Sequence, residues 1–92
     1  MDNVQREMIA DLIEAVVTLC TVDECERFFR DLCSEEEISR LSKRLQVAKL
    51  IVEGETYRDI LEKTHTANCT ISRMKNVMER ENSILVDVAK KI

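Results

Sequence analysis

Backbone punctuation is almost missing from this chain: across 92 residues there is no proline, and the one glycine is Gly54. Proline and glycine break helices and permit tight turns, so a chain nearly without them is driven toward continuous helices. The side chains agree, being rich in Leu, Ile, Glu, Lys and Arg with only three aromatic residues, a helix-forming mixture. A chain this short leaves much of its surface exposed, and three rings fill little core. A lone subunit is therefore expected to be marginal, with a homodimer burying additional apolar surface. The expected fold is one all-α domain spanning residues 1–92.

Apolar spacing places the helices. Val4, Met8, Leu12, Ala15, Val16 and Leu19 recur three and four apart, which predicts a first helix over 2–19 with one apolar stripe. Ile9, Ile13 and Val17 widen the stripe enough for the helix to be gripped from two sides in an intertwined dimer, or to lie deep in an ordinary core. Thr21 with Glu24 is a capping-box pattern opening a second helix to about Cys33. Phe28 and Phe29 on that helix are expected at the centre of the hydrophobic cluster. Ser34 with Glu37 repeats the capping pattern, and Ile38, Leu41, Leu45, Ala48 and Val52 continue a 3-4-3-4 spacing to Glu53. Periodicity leaves open whether this is one helix or two with a break near Ser42. Gly54 stands where a left-handed residue ends a helix.

Beyond Gly54 the pattern changes to two short helices and a turn. Thr56 is the expected N-cap of the first, with Asp59 at its third position and Ile60 and Leu61 facing inward. His65, Thr66, Ala67 and Asn68 have turn chemistry. The second helix is expected to run to about Arg80, with Ile71, Met74 and Met78 inward, before a tail at 84–92 that forms a tail or short helix. This outline is a helix-turn-helix, whose second helix enters the major groove of DNA. The residues expected to meet the groove are Ala67, Asn68, Cys69, Ser72, Arg73 and Asn76. Asn pairs bidentately with adenine and Arg with guanine, each pair contributing about 1–3 kcal/mol of base discrimination. Arg58, Lys63 and Lys75 are candidates for phosphate contacts, which position without reading sequence. A solvated helix face is the competing explanation for all of them.

The net charge of −4 argues against nucleic acid, but its distribution does not. Residues 1–40 carry net −7 and residues 41–92 net +3, so the basic half coincides with the helix-turn-helix. Cys20, Cys25, Cys33 and Cys69 lack zinc-site spacing and are expected as small buried hydrophobes with reduced thiols. His65 and Cys69 lie four apart, but two ligands do not make a metal site, and no cofactor is expected. Neither a secretory leader nor a membrane-spanning run is seen, so a cytoplasmic location is expected.

The segments Gly-Glu-Thr-Tyr-Arg-Asp-Ile (54–60) and Thr-Ile-Ser-Arg (70–73) follow Phe-Phe-Arg-Asp-Leu-Cys (28–33) and Arg-Leu-Gln-Val-Ala-Lys-Leu (44–50). Over residues 5–80 the chain resembles the trp-repressor-related proteins of the YerC/YecD type and, more distantly, the trp repressor. The resemblance implies an interlocked all-helical homodimer, with residues 1–53 as dimerisation core and 56–80 as the DNA-reading head. It also implies a break near Ser42. By the same resemblance Ser34, Arg44 and Arg73 stand where the repressor holds tryptophan, an effector pocket. The fit fails beside them. Met74 replaces the glycine that leaves room for the indole, and Val77 replaces a serine, so tryptophan is not expected as the corepressor and another small effector remains open. His65 departs from the turn glycine usual in the family, and Leu61 from the usual alanine.

Together these features point to a dimeric, sequence-specific regulator of transcription that binds double-stranded DNA, read as a repressor. A protein-protein interaction adaptor that retains the helix-turn-helix shape is the alternative. An enzyme is not expected, because one histidine and no phosphate loop or nucleophile pair leave little to build an active site from.

Overall fold

The computed structural model describes residues 2–92. Among them are six helices in the order α1 (Asn3–Val17), α2 (Val22–Leu32), α3 (Glu35–Val52), α4 (Tyr57–Thr64), α5 (Asn68–Met78) and α6 (Leu85–Lys90). The chain divides into two compact units, one through Glu35 and one from Glu36 to Ile92.

In the first unit, side-chain caps set where both helices begin. Asp2 accepts from the Gln5 N–H at 2.8 Å, and Thr21 accepts from the Glu24 N–H at 3.1 Å, each satisfying an N-terminal donor that α-helix geometry leaves unpaired. Neither helix contains a buried residue. Val4, Met8, Ile9, Leu12, Ile13 and Val17 all stay exposed, so the chain does not place α1 deep in a core of its own. Phe28 and Phe29 pack edge to face with centroids 5.4 Å apart, but both remain half-buried. They are not the centre of the hydrophobic cluster, because two short helices cannot enclose rings of that size. The cysteines are likewise not buried: Cys20 and Cys69 are exposed and Cys25 and Cys33 half-buried, all as free thiols.

The core lies in the second unit. Val47 and Leu50 of α3 meet Ile60 of α4 and Ile71 and Met74 of α5, with Ile51, Leu61 and Leu85 packed against them. Fully burying an aliphatic side chain of this size contributes roughly 1.5–3 kcal/mol, so these few residues hold α5 in place. The spacing reading of α3 is corrected here. Its C-terminal part enters the core through Val47, Ala48 and Leu50, whereas Leu41 and Leu45 are exposed.

A second correction concerns continuity: α3 runs unbroken from Glu35 to Val52. Ser42 does not break it, because its hydroxyl donates to the Ile38 carbonyl at 2.7 Å and so stays satisfied within the helix. Gly54 does end it. At φ 83° the chain closes a Schellman motif, with Gly54 N–H bonded to Ile51 O at 3.0 Å and Glu55 N–H to Leu50 O at 3.1 Å.

Candidate nucleic-acid interface

Two turns and one core aim the outer face of α5. After the Gly54 turn, Thr56 caps α4 by accepting from the Asp59 N–H at 3.2 Å. At the far end His65 takes a left-handed backbone, φ 55° and ψ 34°, and its N–H closes on Leu61 O. Buried Thr64 supports the turn by donating to Ile60 O at 2.7 Å and sharing a 2.8 Å hydroxyl contact with Thr66. Helix α5 then starts at Asn68. Ile71 and Met74 on its inner side are buried, and Val77 and Met78 are half-buried.

Every residue expected at the groove lies on the exposed side: Ala67, Asn68, Cys69, Ser72, Arg73 and Asn76, and Lys75 with them. Positions 68, 72 and 76, and likewise 69, 73 and 76, fall three or four apart and share one helix face. Ala67 provides no side-chain cap, and although the Thr70 N–H closes on Ala67 O at 3.0 Å, the N–H groups of Asn68 and Cys69 face the end where the helix dipole is positive.

The cations divide into two sets. Arg58 pairs with Glu62 at 3.6 Å across two exposed side chains, an i,i+4 contact of about 0.3–0.5 kcal/mol that a phosphate readily displaces. Lys63 is held at 2.7 Å by Glu55, whose hydrogen bond raises its pKa above the ordinary lysine value against the opposing effect of desolvation. Arg73 and Lys75 form no ion pair among the described residues.

Two juxtapositions escaped the sequence reading, although several of their residues did not. Tyr57, the first residue of α4, reaches α5 by a hydroxyl contact with Ser72, and the Lys75 Nζ lies 5.9 Å from its ring centroid. A lone tyrosine carries no spacing signal, so only tertiary packing reveals this. The second is a cleft of about 220 Å³ between α3 and the turn, lined by Arg40, Lys43, Arg44, His65, Thr66, Ala67 and Thr70. Three cations, hydroxyls and no carboxylate suit an anionic group. Of the three expected effector contacts, Arg44 lines this cleft, Arg73 is exposed on α5, and Ser34 belongs to the first unit. Met74 is 8% exposed and part of the core, so its side chain occupies interior space.

An exposed polar helix fastened to a core through its inner side, behind a bracing helix and a left-handed turn, defines a helix-turn-helix domain. The Trp repressor protein family model matches residues 7–91. The uncharacterized protein YerC of Bacillus subtilis (strain 168) is 37% identical over 82 residues, covering 89% of this chain and 79% of YerC. A crystal structure of a Staphylococcus aureus protein provisionally described as a Trp repressor superposes with a TM-score of 0.85 at 34% identity, covering 99% of this chain and 94% of that one. The chain belongs to the Trp repressor family, a regulatory, non-enzymatic family of helical DNA-binding proteins. No helix among the described residues is long and apolar enough to cross a membrane.

Proposed function

We propose that this protein is a cytoplasmic, sequence-specific regulator of transcription, a repressor, that binds double-stranded DNA as a homodimer through α4 and α5. The observation that carries this reading is the outer face of α5. Asn68, Ser72, Arg73 and Asn76 are exposed together on a helix that begins without a capping side chain and is anchored by Ile71 and Met74. Asn76 and Arg73 have the chemistry of base readers, and Arg58 and Lys75 that of phosphate contacts.

The dimer reading is supported by α1, whose apolar residues are uncovered in one chain. Residues 1–53 form the dimerisation core in this reading, and the two α5 helices enter successive major grooves roughly 34 Å apart. In this reading tryptophan is not the effector, which is supported by the burial of Met74 in the core at the position where, by resemblance, the trp repressor has glycine. An effector of another kind, suited to Arg44 and the cleft around it, fits better.

Selection of bound duplexes from random DNA at two salt concentrations, with and without a cell metabolite extract, tests this. A recurring operator with two half-sites is expected, and about six phosphate contacts give a slope of log K against log[salt] near −5. Binding insensitive to salt, or no enrichment in either arm, overturns it. The net −7 over residues 1–40 favours a second reading, an adaptor that docks on a protein. A stoichiometric partner in a pull-down alongside weak duplex binding supports that alternative.

A further inference from the structure

We propose that Tyr57, Ser72 and Lys75 form one DNA-phosphate subsite, with Tyr57 the positioning residue that holds the other two along one edge of α5. This inference rests on the DNA-binding reading above. Among the described residues, the Tyr57–Ser72 contact is the one side-chain hydrogen bond that joins α4 to α5. Tyr57 begins α4 immediately after the Thr56 cap, so its backbone is fixed before its ring reaches across. The ring shares a cleft with Ile60, Ile71 and Lys75, and with Glu55, whose carboxylate is engaged by Lys63.

The chemistry of the pair identifies the ligand. A tyrosine and a serine hydroxyl bring two hydrogens to one mutual bond. Whichever group donates, one hydroxyl hydrogen remains unused, and both side chains are exposed. Over the same tyrosine ring stands the Lys75 ammonium, 5.9 Å from the centroid and without an ion pair among the described residues. A hydroxyl donor and an unpaired ammonium gathered by one tyrosine match the anionic oxygens of a phosphodiester, which accept and do not donate. The ring restrains the flexible lysine stem by a cation–π approach, so less lysine freedom is lost on binding.

The test uses the full chain and an operator duplex from the selection described above, with affinity measured by fluorescence anisotropy across a salt series. Tyr57→Phe leaves the Ser72 hydroxyl hydrogen and Ser72→Ala leaves that of Tyr57. Each single variant therefore keeps one donor and loses less than about threefold, while the double variant keeps none and weakens binding about fivefold to tenfold. Lys75→Met lowers the salt slope by about 0.9. Tyr57→Leu, which removes the ring, lowers the slope equally, while Tyr57→Phe leaves it intact. Thermal unfolding without DNA separates these effects from loss of fold, and Tyr57→Phe is expected to melt with the wild type. If the double variant binds as tightly as the single ones, or if Tyr57→Leu keeps the wild-type slope while Lys75→Met loses it, the proposal is overturned. Wild-type protein that binds with all variants unchanged overturns the subsite alone. Wild-type protein that binds no duplex overturns the DNA-binding reading and the subsite with it.

Discussion

Gly54 and His65, at φ 83° and 55°, are the two left-handed residues among those described, and they stand at opposite ends of α4. Each ends a helix, Gly54 between α3 and α4 and His65 between α4 and α5. The direction of the exposed helix therefore depends on two backbone conformations that most side chains resist.

Replacing Gly54 by Ala isolates that resistance. A Cβ there meets nothing within 4 Å, so any penalty comes from the left-handed backbone alone. A loss of about 1 kcal/mol in denaturant unfolding is expected. Unchanged stability would show that the turn relaxes to another conformation without cost.

His65→Gly is expected to do the opposite. Relief of left-handed strain exceeds the entropy cost of an added glycine by about 0.5 kcal/mol, measurable as a raised denaturation midpoint. A fall in stability would mean that the imidazole holds the turn in a way the backbone geometry does not reveal.

The Glu55–Lys63 contact predicts a pH dependence. Glu55 raises the Lys63 pKa above its usual 10.5, so the pair's contribution is complete below that value and disappears as pH climbs through the raised one. Glu55→Gln is therefore expected to destabilise at neutral pH and to converge with the wild type in strong alkali. Parallel stability curves for the two proteins up to pH 11 would refute this.

Ile71→Ala tests how firmly α5 is held. Ile71 is fully buried in the core cluster, and its truncation is expected to cost about 2–5 kcal/mol. Duplex affinity should fall in proportion to the folded fraction. A cost below 1 kcal/mol would place the anchoring of α5 elsewhere.

Leu12→Glu tests the reading of α1. Leu12 lies among the exposed apolar residues of that helix, where a charge costs a monomer little but is unfavourable inside a subunit interface. Sedimentation is expected to show loss of dimer together with lower thermal stability. A variant with wild-type mass and melting temperature would remove α1 from the interface.

Much of the backbone path was legible in the residues themselves, because its signals are local. Thr21 and Thr56 cap the helices that follow them, Gly54 closes α3, and Ile71 and Met74 face inward at helical spacing. Local chemistry of this kind acts over three or four residues, and those residues are adjacent on the page. The polar outer side of α5 was readable for the same reason, as the complement of an apolar side.

What tertiary structure alone decided are the outcomes of competition between distant residues. Val47 and Leu50 entered the core while Leu41, Leu45 and the Phe28–Phe29 pair did not, because burial requires neighbours on every side, which α4, α5 and Leu85 of α6 supply to Val47 and Leu50. The bond from Tyr57 to Ser72 spans 15 residues, a separation to which no helical period corresponds. The near absence of proline and glycine determined that this chain would be helical, since little in it can break a helix. Which helical surfaces meet was decided by packing, because hydrophobic burial depends on the area enclosed and carries no record of sequence order.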